Sequence, residues 1–214
     1  MIIFTHTKSR RPINIIKYSI ESLLSNHLLH KHNCIPSIRY ISKQIANKQS
    51  RIYKFDYAKH ALSLNFILNG LSSQTSKKSF AANGINTICI IGDGHGLMGS
   101  LIKAFDNNIK IVSINLGRIL LFDVYHTEKL FPSASVELIQ SRPESSTLKA
   151  DFTFIEAQNY EFISDLNIDL FINIASMQEM NNEIINNYFK YINASKALKK
   201  TFYCCNRTEK KLPD

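Results

Sequence analysis

Glycine and proline are scarce in this 214-residue chain, with seven and five copies. That excludes collagen-like and proline-rich disordered architectures. Cysteine is scarce as well. Cys34, Cys89, Cys204 and Cys205 are too few and too irregularly spaced for a disulfide scaffold, so all four read as reduced core or near-core thiols in a reducing compartment. No CxxC pair or His/Cys cluster has zinc-ligand spacing, and His27, His30 and His32 lack an accompanying acid, so no metal is expected. Long apolar runs are missing too. The best candidate, Ile111 to Val124, is interrupted by Asn115, Arg118 and Asp123, well short of the roughly 18 apolar residues of a membrane span. Met1–Phe4 is too short for the core of a secretory signal. A cytoplasmic protein without a transmembrane segment is the expectation.

Acidic residues are nearly absent from the first 80 positions. Glu21 and Asp56 stand against 13 Lys/Arg there, whereas residues 81–214 hold 15 acids against 13 Lys/Arg. A step of this size points to two parts with different jobs. A basic part suits a nucleic acid, a peripheral contact with an anionic surface, or an acidic substrate; a solvated basic helical surface is the plainer alternative.

The periodicity changes with the charge. Ile15, Ile16, Ile20, Leu23, Leu24 and Leu28 have helical spacing, Ile38, Ile41 and Ile45 suggest a second helix, and Tyr57–Leu71 a third with Gly70 near its end. Ser72–Ser79 reads as a polar linker. Residues 1–80 are therefore expected to be a basic helical cap, and 81–214 a second domain. There, short apolar runs at Thr87–Ile91, Lys110–Ile114, Val136–Ile139, Phe152–Ile155, Asp169–Ile174 and Thr201–Cys205 alternate with amphipathic segments at Leu97–Phe105, Ile119–Leu130 and about Asn181–Ile192. That alternation predicts βαβ units and an α/β fold with a parallel sheet, Rossmann-like in type.

The stretch from Ile88 to Gly99 carries the chemistry. A strand stops at Gly92 and a helix starts near Leu97, with Gly94 and Gly96 between. Glycines let a turn approach a ligand closely, and a helix N-terminus favours a phosphate or carboxylate. The frame Gly94-Gly96-Gly99 satisfies the dinucleotide GxGxxG, but starts two residues after the strand. The frame Gly92-Gly94-Gly96 is GxGxG at the strand end, as in enzymes that use S-adenosylmethionine (SAM), and fits better. The ribose-binding acid expected about 20 residues on is replaced by Asn115, which can bond a hydroxyl without charge. No Walker lysine is present, which argues against an NTPase.

Three blocks resemble the sugar O-methyltransferase family, SAM-dependent enzymes with the class I methyltransferase fold. They are Ile90–Gly96, the segment from Ile114 through Glu128–Pro132, and Asp169–Met180 with Phe202–Lys210 downstream. The resemblance spans about residues 57–214. It implies that Gly92, Asp93, Gly94, Gly96 and Asn115 hold SAM, that Leu116 packs on the adenine and Gln158 reads its edge. It implies a saccharide or glycoconjugate acceptor met by Asn173, Ser176, Gln178 and Asn206. Glu179 and His95 are the candidate general bases. The cap would close over the acceptor, and its charge suits an anionic glycan or a lipid-linked sugar phosphate.

The chain departs from the family at three places. Ile90 and Asn115 stand where it has acids, and Gly117 where it tends to have proline. The chain also stops at Asp214, where the family's sheet would continue, so a sheet incomplete at its C-terminal edge is expected. Two other readings compete. One is a degenerate, inactive methyltransferase fold working as a binding protein; the other is an NAD(P)-dependent oxidoreductase using the Gly94-Gly96-Gly99 frame. A nucleic-acid methyltransferase is not expected, because no NPPY-like or cysteine nucleophile motif follows the fourth strand.

Overall fold

The computed structural model describes residues 12–75 and 79–207, with side chains outside 12–16 and 73–75. Three helices come first: α1 (Pro12–Lys31), α2 (Pro36–Lys48) and α3 (Phe55–Thr75). The α/β part follows as β1 (Thr87–Ile91), α4 (Leu97–Phe105), β2 (Lys110–Asn115), α5 (Gly117–Leu130), β3 (Val136–Ile139), β4 (Phe152–Glu156), β5 (Leu170–Ile174), α6 (Asn182–Ala194) and β6 (Thr201–Cys205). Short 3-10 segments at Ala157–Asp165 and Met177–Glu179 flank β5.

The six strands form one sheet in the order β3-β4-β2-β1-β5-β6, parallel at every pairing. β1, β2, β4 and β5 are buried on both faces, which is why they read as continuous apolar runs and not as alternating ones. From β1 the chain steps outward through β2 to the edge strand β3, comes back to set β4 between β3 and β2, then returns to place β5 on β1's other side. Right-handed crossovers in opposite directions put their connections on opposite faces.

Two cores result. On one face Ile88, Ile90, Phe152, Phe154 and Ile172 pack against α4, α5 and the helices α1–α3. On the other, Cys89, Ile91, Val112, Ile155 and Phe171 meet the Ala157–Asp165 segment and α6. The basic N-terminal helices thus belong to a layer of the sandwich. Leu29, Ile38, Ala61, Leu64 and Leu68 sit in the same continuous core as Met98, Leu101 and Ile102 of α4.

Local polar ties hold the strand starts. Asp169 accepts from the backbone N–H of Asn86 and Thr87, at 2.8 and 3.0 Å. The buried Lys103 ammonium donates to the carbonyls of Asn107 and Ile109 and to Asp151, joining the end of α4 to the start of β4.

Two sequence expectations need correction. α3 passes through Gly70 and runs to Thr75, well into the stretch expected as a linker, of which 76–78 lie outside the described residues. Leu71 still packs on the core, and the Ser72 hydroxyl donates back to the Leu68 carbonyl. A Cβ built on Gly70 would meet nothing within 4 Å outside its own helix. Cys204 and Cys205 are exposed, not core thiols, while Cys34 and Cys89 are buried. β6 is an edge strand with one neighbour, β5, among the described residues, and an edge strand leaves its side chains less covered.

Candidate functional site

In an open parallel sheet, ligands bind beyond the carboxyl ends of the strands where the strand order reverses. Here that place is the end of β1, between β2 and β5. The backbone takes an unusual course there: Gly92, Gly94 and Gly96 have φ of 75°, 79° and 64°. A side chain strains this left-handed region. Gly92 has a second reason to be glycine, since a Cβ there would run into the Ser176 side chain. A Cβ on Gly94 would meet nothing within 4 Å, so that turn is open toward a ligand. Ala175, just after β5, is also left-handed at φ 64°, and a strained alanine beside a cavity is a mark of function.

Two cavities meet at this turn. The larger, about 820 Å3, spreads over the ends of β1, β2, β4 and β5. Gly92, Gly94, His95, Asn115, Leu116, Gln158, Ser176 and Glu179 line it, with Ile119, Tyr160 and Tyr188 adding apolar wall. The second, about 620 Å3, lies between the turn and the N-terminal helices. Gly92, Asp93, Gly94, His95 and Ile174 face Tyr18, Arg51, Lys54, Asp56, Lys59 and His60 across it.

The residues singled out from sequence separate into two groups. Gly92, Gly94, His95, Leu116, Gln158, Ser176 and Glu179 come together at the larger cavity. Asn173, Gln178 and Asn206 line neither cavity. Asn173 is fully buried. Its amide donates to the Ile91 carbonyl and the Ser176 hydroxyl, and its oxygen accepts from Asn206 and from the Met177 N–H. Gln178 accepts from the Arg207 N–H, and the Asn206 amide also reaches the Cys204 sulfur. These side chains satisfy one another where β5 and β6 end. In this structure their polar atoms clasp two strand ends and face neither cavity. Ser176 lines the cavity, but its hydroxyl donates to the Ile91 carbonyl.

Asp93 lines the second cavity, but its carboxyl is engaged within the turn. Its two oxygens accept from the N–H groups of Met98 and Gly99, each at 2.7 Å. The N-terminus of α4, expected to receive a ligand's anionic group, is thus capped from within by a carboxylate. Asn115 lines the large cavity, while its amide donates to Asp123 on α5 at 3.1 Å and its oxygen accepts from the Leu116 N–H. Gln158 donates to Glu156.

Asp123 is a site residue that sequence reasoning passed over, noted only as a polar break in an apolar run. It is fully buried and also accepts from the Ser113 hydroxyl. Burial pushes its carboxyl above the usual carboxylate range. Asp93 is pushed the same way by burial and by the nearby Asp123 charge. Arg51 and Lys54 were passed over as well, because the charge step marked a half of the chain and no single position.

His95 occupies the lip where the cavities meet. Its ring packs edge-on against Phe122 and His126, centroids 5.6 and 6.0 Å away. Its Nδ1 is buried without a hydrogen-bond partner among the described residues. Burial, and then the Arg51 charge, hold its pKa below the usual imidazole value, so the ring is neutral and able to accept a proton near pH 7. Glu179 lines the larger cavity and not the second, on the 3-10 turn before α6. Among the described residues, no three His, Cys, Asp or Glu side chains are grouped so as to hold a metal ion.

No protein-family profile matches the chain, and no curated protein matches it in sequence. Among solved structures, the chain is similar to the plantazolicin methyltransferase BpumL in complex with SAH. There the identity is 15%, the match covers 83% of this chain and 57% of that one, and the TM-score is 0.41. It is similar to the plantazolicin methyltransferase BamL, in complex with a triazolic desmethylPZN analog and SAH, at 12% identity. That match covers 82% of this chain and 53% of the other, again with a TM-score of 0.41. The chain thus spans little more than half the length of these proteins, and the likeness is loose.

Proposed function

We propose that the chain is a SAM-dependent methyltransferase. The observation that carries this reading is the 820 Å3 cavity at the strand ends, lined by the left-handed Gly92 and Gly94, of which Gly94 has open space around it; Gly96 faces α5 instead. The residues present fit the cofactor. Ile119, Tyr160 and Leu116 offer an apolar wall for an adenine, and Asn115 lies where β2 ends, as a ribose neighbour would.

The same turn argues against NAD(P). A dinucleotide's pyrophosphate needs free N–H groups at the helix N-terminus. Here Met98 and Gly99 give theirs to the Asp93 carboxyl, so they are not free for a phosphate.

The cofactor supplies an electrophilic methyl group on a sulfonium, which becomes a neutral thioether when a hydroxyl oxygen takes the methyl. The chain's part is to align that hydroxyl, exclude water and remove its proton. His95 is the favoured base, because it faces both cavities and its imidazole is neutral. The hydroxyl proton passes to that ring as the C–O bond forms. Glu179, facing the larger cavity, is the second candidate. The finer assignment of a saccharide acceptor rests on the resemblance of the three sequence blocks, of which Asp169–Met180 is the most specific.

S-adenosylhomocysteine binding, measured by calorimetry with NAD+ as control, tests the reading. Micromolar affinity for the first and none for the second is expected. Gly94→Leu has open space for its Cβ but strains a backbone at φ 79°; checked for folding by circular dichroism, it is expected to abolish binding. A folded chain that fails to bind S-adenosylhomocysteine overturns the proposal.

A further inference from the structure

The 620 Å3 cavity has a charge imbalance that the methyltransferase reading does not use. Arg51, Lys54 and Lys59 enter it from the α2–α3 loop and α3, against the acids Asp56 and Asp93. Both acids are committed elsewhere. Asp56 pairs with Lys59 at 3.5 Å, and Asp93 is held by the N-terminus of α4. His60 is buried and pushed down to about 4 by that burial, so it adds no charge at neutral pH. Arg51 and Lys54 form no ion pair with a carboxylate among the described residues. Lys54 lies 4.5 Å over the Tyr18 ring, a neutral partner that orients an ammonium without cancelling its charge.

The loop that presents these cations is held firmly. Gln49 is buried and accepts from the Tyr57 hydroxyl at 2.8 Å. Ser50 then takes a left-handed φ of 56°, and the Arg51 N–H returns to the Ala46 carbonyl. A serine in that conformation costs energy, and here it turns the chain so that Arg51 lines the cavity opposite Gly94 and His95. The Arg51 charge reaches the turn, since it helps push both His95 and His126 below the usual imidazole value. Arg51 is exposed and Lys54 half-buried at the cavity wall, so both charges are available to a charge-assisted hydrogen bond from an anionic ligand.

We propose that this cavity binds an acidic group of the methyl acceptor, a phosphoryl or carboxylate, through Arg51 and Lys54, while the acceptor's hydroxyl lies at His95. This rests on the methyltransferase reading and adds the acceptor's chemistry: an anionic hydroxyl compound, where a neutral one would leave the cations unmatched. A cofactor's methionyl carboxylate is the other source of such an anion, and the experiment separates the two.

The chain, with and without saturating S-adenosylhomocysteine, is titrated calorimetrically with glucose 1-phosphate, galacturonate and glucose. Arg51→Ala and Lys54→Ala are carried through the same titrations, with Lys43→Ala on the exposed face of α2 as control and circular dichroism to check folding. At least one acidic probe should bind, and glucose should not. Each cavity variant should weaken the acidic probe by about tenfold or more, with S-adenosylhomocysteine affinity unchanged and the control like the parent. Binding of glucose 1-phosphate but not galacturonate assigns a phosphoryl group, and the reverse a carboxylate. If S-adenosylhomocysteine binds and no acidic probe does, the anionic-acceptor proposal is overturned and the methyltransferase reading stands. If Arg51→Ala weakens S-adenosylhomocysteine and leaves the acidic probe unmoved, the cations serve the cofactor and the proposal falls. If S-adenosylhomocysteine itself fails to bind, the methyltransferase reading has failed and an acceptor site falls with it.

Discussion

Gly92 and Gly94 share a left-handed backbone but differ in what surrounds them. A methyl group at Gly92 strains the backbone and strikes Ser176, whereas at Gly94 it strains the backbone alone. The left-handed conformation costs a side-chain-bearing residue about 1–2 kcal/mol, and overpacking adds about 1–3 kcal/mol. Gly92→Ala should therefore lower unfolding free energy by clearly more than Gly94→Ala, as read from urea midpoints. Equal losses would show that Ser176 moves aside freely. The sequence revealed that these positions are glycine and that they end a strand. It did not reveal that one glycine makes room for Ser176 and that the other faces open space.

At the scale of elements, three pieces meet around two buried carboxyls. The β1–α4 turn brings Asp93, α5 brings Asp123, and β2 supplies Ser113 and Asn115 as donors to Asp123. Burial holds the Asp123 carboxyl above the usual carboxylate range, and burial with the Asp123 charge does the same to Asp93. The folded state thus keeps protons that the unfolded chain releases near pH 4. Their stabilising contribution is complete below that pH and is lost as pH rises toward neutrality. Asp123→Asn should flatten this decline, measured as the slope of urea stability against pH from about 4 to 7. An unchanged slope would mean that the two carboxyls do not share their charge. Sequence periodicity located β2 and α5 to within a residue or two at most ends, because apolar spacing sets local structure. It could not show that Asp123 points inward, because that depends on how α5 is rotated against the sheet.

At the scale of the whole molecule, burial decides which groups are chemically reachable. All four thiols looked like core or near-core groups in sequence, Cys89 between isoleucines and Cys204 and Cys205 at the end of an apolar run. The fold buries Cys34 and Cys89 and leaves Cys204 and Cys205 on an edge strand. Burial also pushes the Cys34 thiol up to about 11, and the Cys89 thiol up as well, so neither forms the reactive thiolate readily. In the native protein, two of the four thiols should react quickly with a disulfide reagent such as DTNB, with mass mapping to residues 204 and 205. All four should react after denaturation. Rapid native labelling of Cys34 or Cys89 would show that the helical layer opens.

The chain by itself determined the element order, the parallel α/β class and the glycine turn, because these follow from apolar spacing and from residues that only certain backbones accommodate. No described helix is long and apolar enough to cross a membrane, consistent with the absence of long apolar runs. What tertiary structure alone decided is where the polar side chains spend their hydrogen bonds. Asn173, Gln178 and Asn206 looked like acceptor ligands and instead clasp the ends of β5 and β6. Arg51 and Lys54, unremarkable in a basic stretch, stand across a cavity from His95. Spacing along the chain places a residue on an element. Whether its polar atoms meet a ligand or a neighbour depends on segments distant in sequence, which come together only when the sheet and its two helical layers are packed.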